Sequence, residues 1–151
     1  MAGKPLIFDT SYLVRLYLDE VGCEAVRDLA CTMDAISVAW HGQVEVIAAF
    51  HRIYRENRIS RQRHLELIDQ FLADDSNSLF YWLELNEGVR LRLLSFFRKA
   101  SPATFLRAAD ALHLASAAEH GFTEIYSNDR HLLTAAPLFG LQGINVISEK
   151  S

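Results

Sequence analysis

Four acidic residues occupy chemically similar positions along this 151-residue chain. Asp9 closes an apolar run and Asp129 follows a strand-like run, whereas Glu45 and Asp110 each lie within an apolar helical pattern. Carboxylates that are brought together repel one another unless a positive charge joins them. A divalent metal is the simplest such partner, since Mg²⁺ and Mn²⁺ prefer oxygen ligands. The four acids therefore predict a metal site, provided that the fold brings them together.

The elements that must position these acids alternate between short strand-like runs and longer helical ones. The pattern predicts strands over residues 6–8, 35–39, 79–85, 123–127 and 144–147, although the segment 77–84 also fits a loop. It predicts helices over residues 12–19, 43–55, 104–120 and 130–136, one that begins after Ser60 and one from Asn86 to about Lys99. This order is typical of a mostly parallel sheet of about five strands between two helical layers. We expect a single α/β domain over residues 1–151.

The predicted sheet places the acids at one edge. Ligands of open parallel sheets bind outside the carboxyl ends of the strands, and Asp9 and Asp129 come just after strands. Glu45 lies in the first turns of the helix that follows the second strand. Asp110 lies on a helix face shared by positions 106, 109, 113 and 117. We therefore expect all four carboxylates at the same edge.

Composition and charge exclude several classes of protein. Half of the residues are hydrophobic and 23% are charged, as in a globular domain. The apolar runs are of strand length and no secretory signal is visible, so we expect no membrane span and a cytoplasmic location. Cys23 and Cys31 lack the spacing of a zinc site. The net charge of −4 argues against nonspecific nucleic-acid binding by the whole surface.

A local basic patch is nevertheless present around one predicted helix–helix turn. It contains Arg52, Arg55, Arg58, Arg61 and Arg63. A solvated face is the simpler interpretation, and the functional alternative is a surface that positions RNA phosphates or contacts a protein partner. The aromatic residues are expected in the core or at an interface, with no ordered platform for base stacking.

Three segments resemble motifs of PIN-domain ribonucleases: 6–14 (LIFDTSYLV), 108–115 (AADALHLA) and 127–133 (SNDRHLL). At this length the chain is similar to the VapC-type toxins of toxin–antitoxin pairs. The resemblance implies a metal-dependent endoribonuclease that uses Mg²⁺ or Mn²⁺, acts on RNA, is silenced by a cognate antitoxin and forms a homodimer. It also implies that Asp9, Glu45, Asp110 and Asp129 are the catalytic metal ligands. One departure is the connection from Ser37 to Glu45, which is longer and bulkier than the family pattern.

Each of these residues also has a simpler structural interpretation. Asp9 and Asp129 fit helix caps, and Asp110 fits an ion pair with a nearby arginine. Thr10 and Asn128 are candidate supporting ligands or hydrogen-bond donors. His113 shares the helix face of Asp110, and we interpret it as a packed core histidine.

Two other functions remain open from the sequence. A phosphohydrolase would use Asp9 as its nucleophile, but Ser11 stands where such enzymes usually carry a second acid. A degenerate PIN-like domain would act only by binding a partner. The Gly-rich phosphate loop of nucleoside triphosphatases is absent from the sequence.

Overall fold

The computed structural model describes residues 5–148. Its strands are β1 (Leu6–Phe8), β2 (Ile36–Ala39), β3 (Phe80–Leu83), β4 (Glu124–Tyr126) and β5 (Gln142–Ile144). Its helices are α1 (Thr10–Leu13), α2 (Cys23–Ala30), α3 (Gly42–Arg55), α4 (Arg61–Ser76), α5 (Glu87–Lys99), α6 (Ala108–Glu119) and α7 (Arg130–Ala135), and 3₁₀ turns cover Val14–Leu16 and Ala136–Phe139. The five strands form one parallel sheet in the order β3-β2-β1-β4-β5. The predicted three-layer α/β fold is confirmed.

The central strand β1 shows why the sheet carries a helical layer on each face. Leu6 and Phe8 point into one core, where residues of α1 to α4 pack, whereas Ile7 points into the other, with residues of α6 and α7. All three side chains are buried, as expected for a central parallel strand. No helix among residues 5–148 is both long and apolar enough to cross a bilayer.

The chain changes direction across the sheet beside β1. Strands β2 and β3 extend the sheet on one side, and the chain then returns to place β4 on the other side. The backbone N–H of Asp9 donates to the carbonyl of Tyr126 over 3.1 Å, so β1 and β4 end side by side. Such a switch point leaves a crevice at the carboxyl ends of the two strands, where ligands of this fold class bind.

Four elements differ from the sequence prediction. The helix predicted over residues 12–19 begins at Thr10, because Asp9 caps it, and it continues after Leu13 only as a 3₁₀ turn that ends at Leu16. Helix α2 was not predicted, because only Cys23 and Val26 of its eight residues are buried and its apolar pattern is correspondingly short. Helix α6 begins at Ala108 rather than near 104, since Arg107 is extended. Strand β5 ends at Ile144, where the predicted strand was to begin. The apolar signal beyond it includes Ile147, which packs into the core from outside the sheet.

Candidate active site

The four acids line a single cavity of about 450 Å³ at the carboxyl edge of the sheet. Asp9, Glu45, Asp110 and Asp129 all contribute to its wall. Each acid lies at the beginning of a helix. Asp9 and Asp129 are the N-caps of α1 and α7, and Glu45 and Asp110 lie in the first turns of α3 and α6. Helix N-termini favour negative charge, typically by about 0.3–1 kcal/mol each, so the fold partly offsets the repulsion between the carboxylates.

Asp9 is the most deeply buried of the four acids, with 3% of its surface exposed. Its Oδ1 accepts hydrogen bonds from Ser11 Oγ at 2.6 Å and from the Tyr12 N–H at 3.2 Å, and its Oδ2 accepts one from Ser127 Oγ at 2.5 Å. Burial raises the pKa of Asp9, although the nearby His113 and these hydrogen bonds oppose the shift. The carboxyl group is therefore fixed in place, and the cost of its charge is only partly compensated.

Ser11 and Ser127 were not predicted to serve the site. The Oγ of Ser127 also accepts from the Asp129 N–H at 2.9 Å, and the Oγ of Ser11 accepts from the Asn128 N–H at 2.9 Å. The two serines thus tie the end of β1 to the turn after β4. The sequence feature that could have identified these serines is their position beside the ends of the two predicted strands.

Glu45 is held by hydrogen bonds to a single oxygen. Its Oε1 accepts from Thr10 Oγ1 at 2.6 Å and lies 2.7 Å from His113 Nε2. Burial would raise the pKa of Glu45, but the hydrogen bonds from His113 and Thr10, with the nearby positive charge, outweigh it and lower the pKa to about 2. Glu45 is therefore ionised at neutral pH. Thr10, a predicted supporting residue, contacts the cavity acids through this hydrogen bond to Glu45.

Two histidines, His41 and His113, pack beside Glu45 with ring centroids 4.1 Å apart. His41 Nε2 lies 2.9 Å from the Ala109 carbonyl oxygen, and His113 Nε2 contacts Glu45. Each Nε2 atom therefore has an acceptor. The Nδ1 atoms are buried and have no hydrogen-bond partner among residues 5–148. Each Nε2 is the atom placed to donate, because the Ala109 carbonyl and the Glu45 carboxylate can only accept. The histidines act as donors that fix neighbouring groups.

Asp110 and Asp129 share a cation supplied by the protein. The Arg107 guanidinium lies 3.5 Å from Asp110 Oδ2 and 3.7 Å from Asp129 Oδ2. Burial and then the charge of Asp129 raise the pKa of Asp110, whereas Arg107 lowers it. The Arg107 side chain is 71% exposed, so its contacts are solvent-screened and weak. Neutralisation of this pair of acids is incomplete.

The long connection before Glu45 is accommodated by a glycine. Strand β2 ends at Ala39, and α3 begins at Gly42 after a turn through Trp40 and His41. A Cβ atom at Gly42 would lie 2.5 Å from Val38 Cγ1, so only glycine lets the helix begin this close to the strand. Glu45 consequently reaches the cavity despite the unusual spacing.

The cavity suits a hard divalent cation. Its acids offer oxygen donors, the pKa values of Asp9 and Asp110 are raised, and a guanidinium already lies between Asp110 and Asp129. Among the described residues, the one group of three candidate ligand atoms within 4.8 Å of one another is His41, Glu45 and His113, so the four carboxylates are more widely spaced. Mg²⁺ usually keeps several waters, which extend its reach to such carboxylates. The oxygen donors therefore fit Mg²⁺ or Mn²⁺ better than a tightly chelated metal.

The remaining predicted residues separate into two groups. Arg52 lines the same cavity as the acids, beyond the apolar wall formed by Ala48 and Ala49. The other four predicted arginines, and Asn128, do not line it. The side-chain oxygen of Asn128 accepts instead from Asn145 Nδ2 at 3.0 Å, beyond β5.

The hypothesis that Arg52 positions RNA phosphates has a direct test: replacement of Arg52 by alanine should weaken binding of a single-stranded RNA about three- to tenfold, because one phosphate contact would be lost. The slope of log K against log salt concentration should fall by about 0.7. Arg98→Ala is the matched control, since Arg98 is exposed, lies outside the cavity and does not belong to the basic patch. Fluorescence anisotropy over a series of salt concentrations measures both quantities, and equal slopes for the two variants would remove Arg52 from the substrate path.

Comparison with known proteins gives one family and one fold. The model of the PIN domain family matches residues 6–136. The structure is similar to FitAcB from Neisseria gonorrhoeae, with a TM-score of 0.72 and 15% identity over 93% of this chain and 96% of that chain. It is also similar to VapBC2 from Rickettsia felis bound to a DNA fragment from their promoter (TM-score 0.64, 11% identity, 94% and 98% of the two chains). A toxin–antitoxin complex from Klebsiella pneumoniae matches with a TM-score of 0.55 and 16% identity over 82% and 86%. No curated protein sequence gives a significant match.

Proposed function

Because the chain belongs to the PIN domain family, we propose that it is a metal-dependent endoribonuclease and the toxin of a type II toxin–antitoxin pair. The observation that carries the proposal is the cavity at the switch point of the sheet, where Asp9, Glu45, Asp110 and Asp129 meet. PIN domains are generally nucleases. The similar structures of toxin–antitoxin complexes support the second part of the proposal.

The residues of the cavity have different proposed roles, which follow from their different environments. Asp9 and Asp110 would hold Mg²⁺ or Mn²⁺, with Glu45 and Asp129 completing the site directly or through waters. When bound, such a cation lowers the pKa of a coordinated water and offsets negative charge on the phosphodiester. The low pKa of Glu45 makes it a poor proton acceptor near pH 7, so its part is to orient. Arg107, which lies beside Asp110 and Asp129, would supply a guanidinium that pairs with a substrate phosphate.

The geometry disfavours the phosphohydrolase alternative. A nucleophilic Asp9 would need a free carboxylate oxygen directed at the substrate phosphorus. Both of its oxygens accept hydrogen bonds from Ser11, Tyr12 or Ser127, and the residue is almost fully buried. Asp9 is better suited to holding a cation than to forming a covalent intermediate.

The test uses the protein purified free of any partner. It should cut a single-stranded RNA in the presence of Mg²⁺ or Mn²⁺, should stop in EDTA, and should leave a DNA strand of the same sequence intact. Asp9→Asn should be inactive, whereas the matched control Asp69→Asn, at an exposed position of α4, should cut like the wild type. Gel analysis of labelled strands gives all of these results.

Cells provide the second readout. Expression of the wild type should arrest bacterial growth, and expression of Asp9→Asn should not. RNA cleavage that persists in Asp9→Asn would place the activity in a contaminant. Growth arrest by Asp9→Asn would favour a degenerate domain that acts through a partner. In the proposed pair, a cognate antitoxin covers the acidic cavity of a homodimeric, cytoplasmic toxin.

A further inference from the structure

One exposed aromatic ring lies in the segment that leads into Arg107, a residue that lines the acidic cavity. Phe105 belongs to the extended segment before α6 and is 58% exposed. Its ring packs against that of His131, with centroids 4.5 Å apart and planes inclined by 53°. His131 lies in α7, directly after the Asp129 cap. The histidine supports the phenylalanine ring and leaves much of it in solvent.

The position of Phe105 is fixed relative to the acids by two contacts between the same segments. The ring contact joins Phe105 to His131, and the ion pair joins Arg107 to Asp129. Phe105 and Arg107 are two positions apart, and so are Asp129 and His131. Each spacing corresponds to at most about 7 Å between Cα atoms. The exposed ring is therefore held between the same two segments that bring Arg107 and Asp129 to the cavity.

The surroundings of Phe105 distinguish it from other exposed apolar side chains. Isolated exposed hydrophobic residues are common and need no special explanation. Phe105, however, lies two residues from the exposed Arg107, which lines a cavity that suits a phosphodiester, and its partner His131 follows the exposed Arg130. A flat apolar ring near guanidinium groups matches a nucleotide, whose base stacks while its phosphate pairs with the cation.

We propose that the exposed face of Phe105, supported by His131, is a stacking subsite for an unpaired base next to the phosphate that is cleaved. The inference rests on the proposed nuclease function and deepens it, since it makes the substrate a strand whose base is free at this position. Because every base offers an aromatic face, the subsite selects for single-strandedness more than for sequence. No ordered aromatic platform was expected from the sequence.

The decisive experiment combines a protein change with a substrate change. In a short RNA with one mapped cut, the base on each side of the cut is removed in turn to leave an abasic ribose. Loss of one of these bases should lower kcat/KM of the wild type by roughly 5- to 100-fold, and Phe105→Ala should lower it equally on the intact strand. On that abasic strand, Phe105→Ala should have no further effect. Phe105→Trp should retain activity.

Tyr81→Thr is the matched control, because Tyr81 is an equally exposed ring, at 65%, on the edge strand β3 on the opposite side of the sheet. It should leave both strands unaffected. If the losses in kcat/KM caused by Phe105→Ala and by base removal multiplied on both abasic strands, the ring and the base would act independently. That result would overturn the subsite. So would unchanged RNA kinetics accompanied by weaker binding of an antitoxin, which would make Phe105 a protein contact.

A binding measurement separates this inference from the nuclease proposal. Fluorescence of Phe105→Trp should be quenched by oligouridylate and not by an abasic chain with the same number of phosphates. Trp40 and Trp82 contribute a background that the parent protein corrects. Quenching without cleavage would support the subsite and contradict the nuclease. Cleavage without quenching, and without loss in Phe105→Ala, would support the nuclease and contradict the subsite.

Discussion

Asp110→Asn should lower metal-dependent RNA cleavage by roughly 10³-fold, equivalent to about 4 kcal/mol of lost transition-state stabilisation. The amide keeps the shape of the carboxylate but cannot supply its charge to a cation. Asp110 lies in the first turn of α6, and burial with the charge of Asp129 raises its pKa. Single-turnover cleavage at saturating Mg²⁺ measures the loss, and a loss smaller than tenfold would remove Asp110 from the metal site.

The same substitution should stabilise the metal-free protein. A carboxyl whose pKa is raised by folding destabilises the native state when it is ionised, so at pH 7 a neutral amide should raise Tm in EDTA. Added Mg²⁺ should then raise the Tm of the wild type more than that of Asp110→Asn, since binding to the native state stabilises it. Asp69→Asn, at an exposed site, should show the wild-type response to Mg²⁺. An inactive variant with a lower Tm in EDTA would indicate a structural role instead.

Much of the fold followed from periodicity, because buried parallel strands and long helices leave strong apolar patterns. Leu6–Phe8 and Phe80–Leu83 lie within their predicted segments, and the latter had also fitted a loop. Periodicity failed where backbone contacts decide the element. Gln142–Ile144 joins the sheet through its pairing with β4, although Gln142 is exposed and the more apolar residues follow it. The start of α6 was likewise set by the extended Arg107, which the apolar pattern does not report.

The acids of the candidate site could be predicted because each interrupts or ends an apolar element. That feature can be read from the sequence alone. The groups that support these acids could not be predicted. His113 is separated from Glu45 by 68 positions, and no local pattern distinguishes a histidine that donates across that distance from one that fills a core. The same holds for Phe105, whose meaning depends on His131 and on the cavity beside it. The fold topology decides which distant residues come together. The apolar pattern along the chain gives only indirect information about it.

His113→Leu should lower kcat/KM for RNA by roughly 10- to 100-fold and raise the Mg²⁺ concentration needed for half-maximal activity. His113 is 1% exposed and its Nε2 lies 2.7 Å from Glu45 Oε1, so it is a positioning residue that acts through Glu45. Leucine fills a similar volume but donates no hydrogen bond. Glu45 would then keep Thr10 as its hydrogen-bond donor on Oε1, with His41 Nε2 at 3.5 Å, and its carboxylate would turn more freely.

Two variants distinguish positioning from a loss of packing. His113→Gln restores a side-chain N–H at a similar reach and should recover part of the activity and of the Mg²⁺ affinity. Ser116→Ala removes another fully buried polar group of α6, whose Oγ has no hydrogen-bond partner among residues 5–148, and it should leave the Mg²⁺ requirement unchanged. If His113→Leu lowered Tm but left the half-activating Mg²⁺ concentration at the wild-type value, the histidine would be a core residue alone. A shifted Mg²⁺ requirement at unchanged Tm has no explanation in packing, because it requires a change at the groups that would hold the cation.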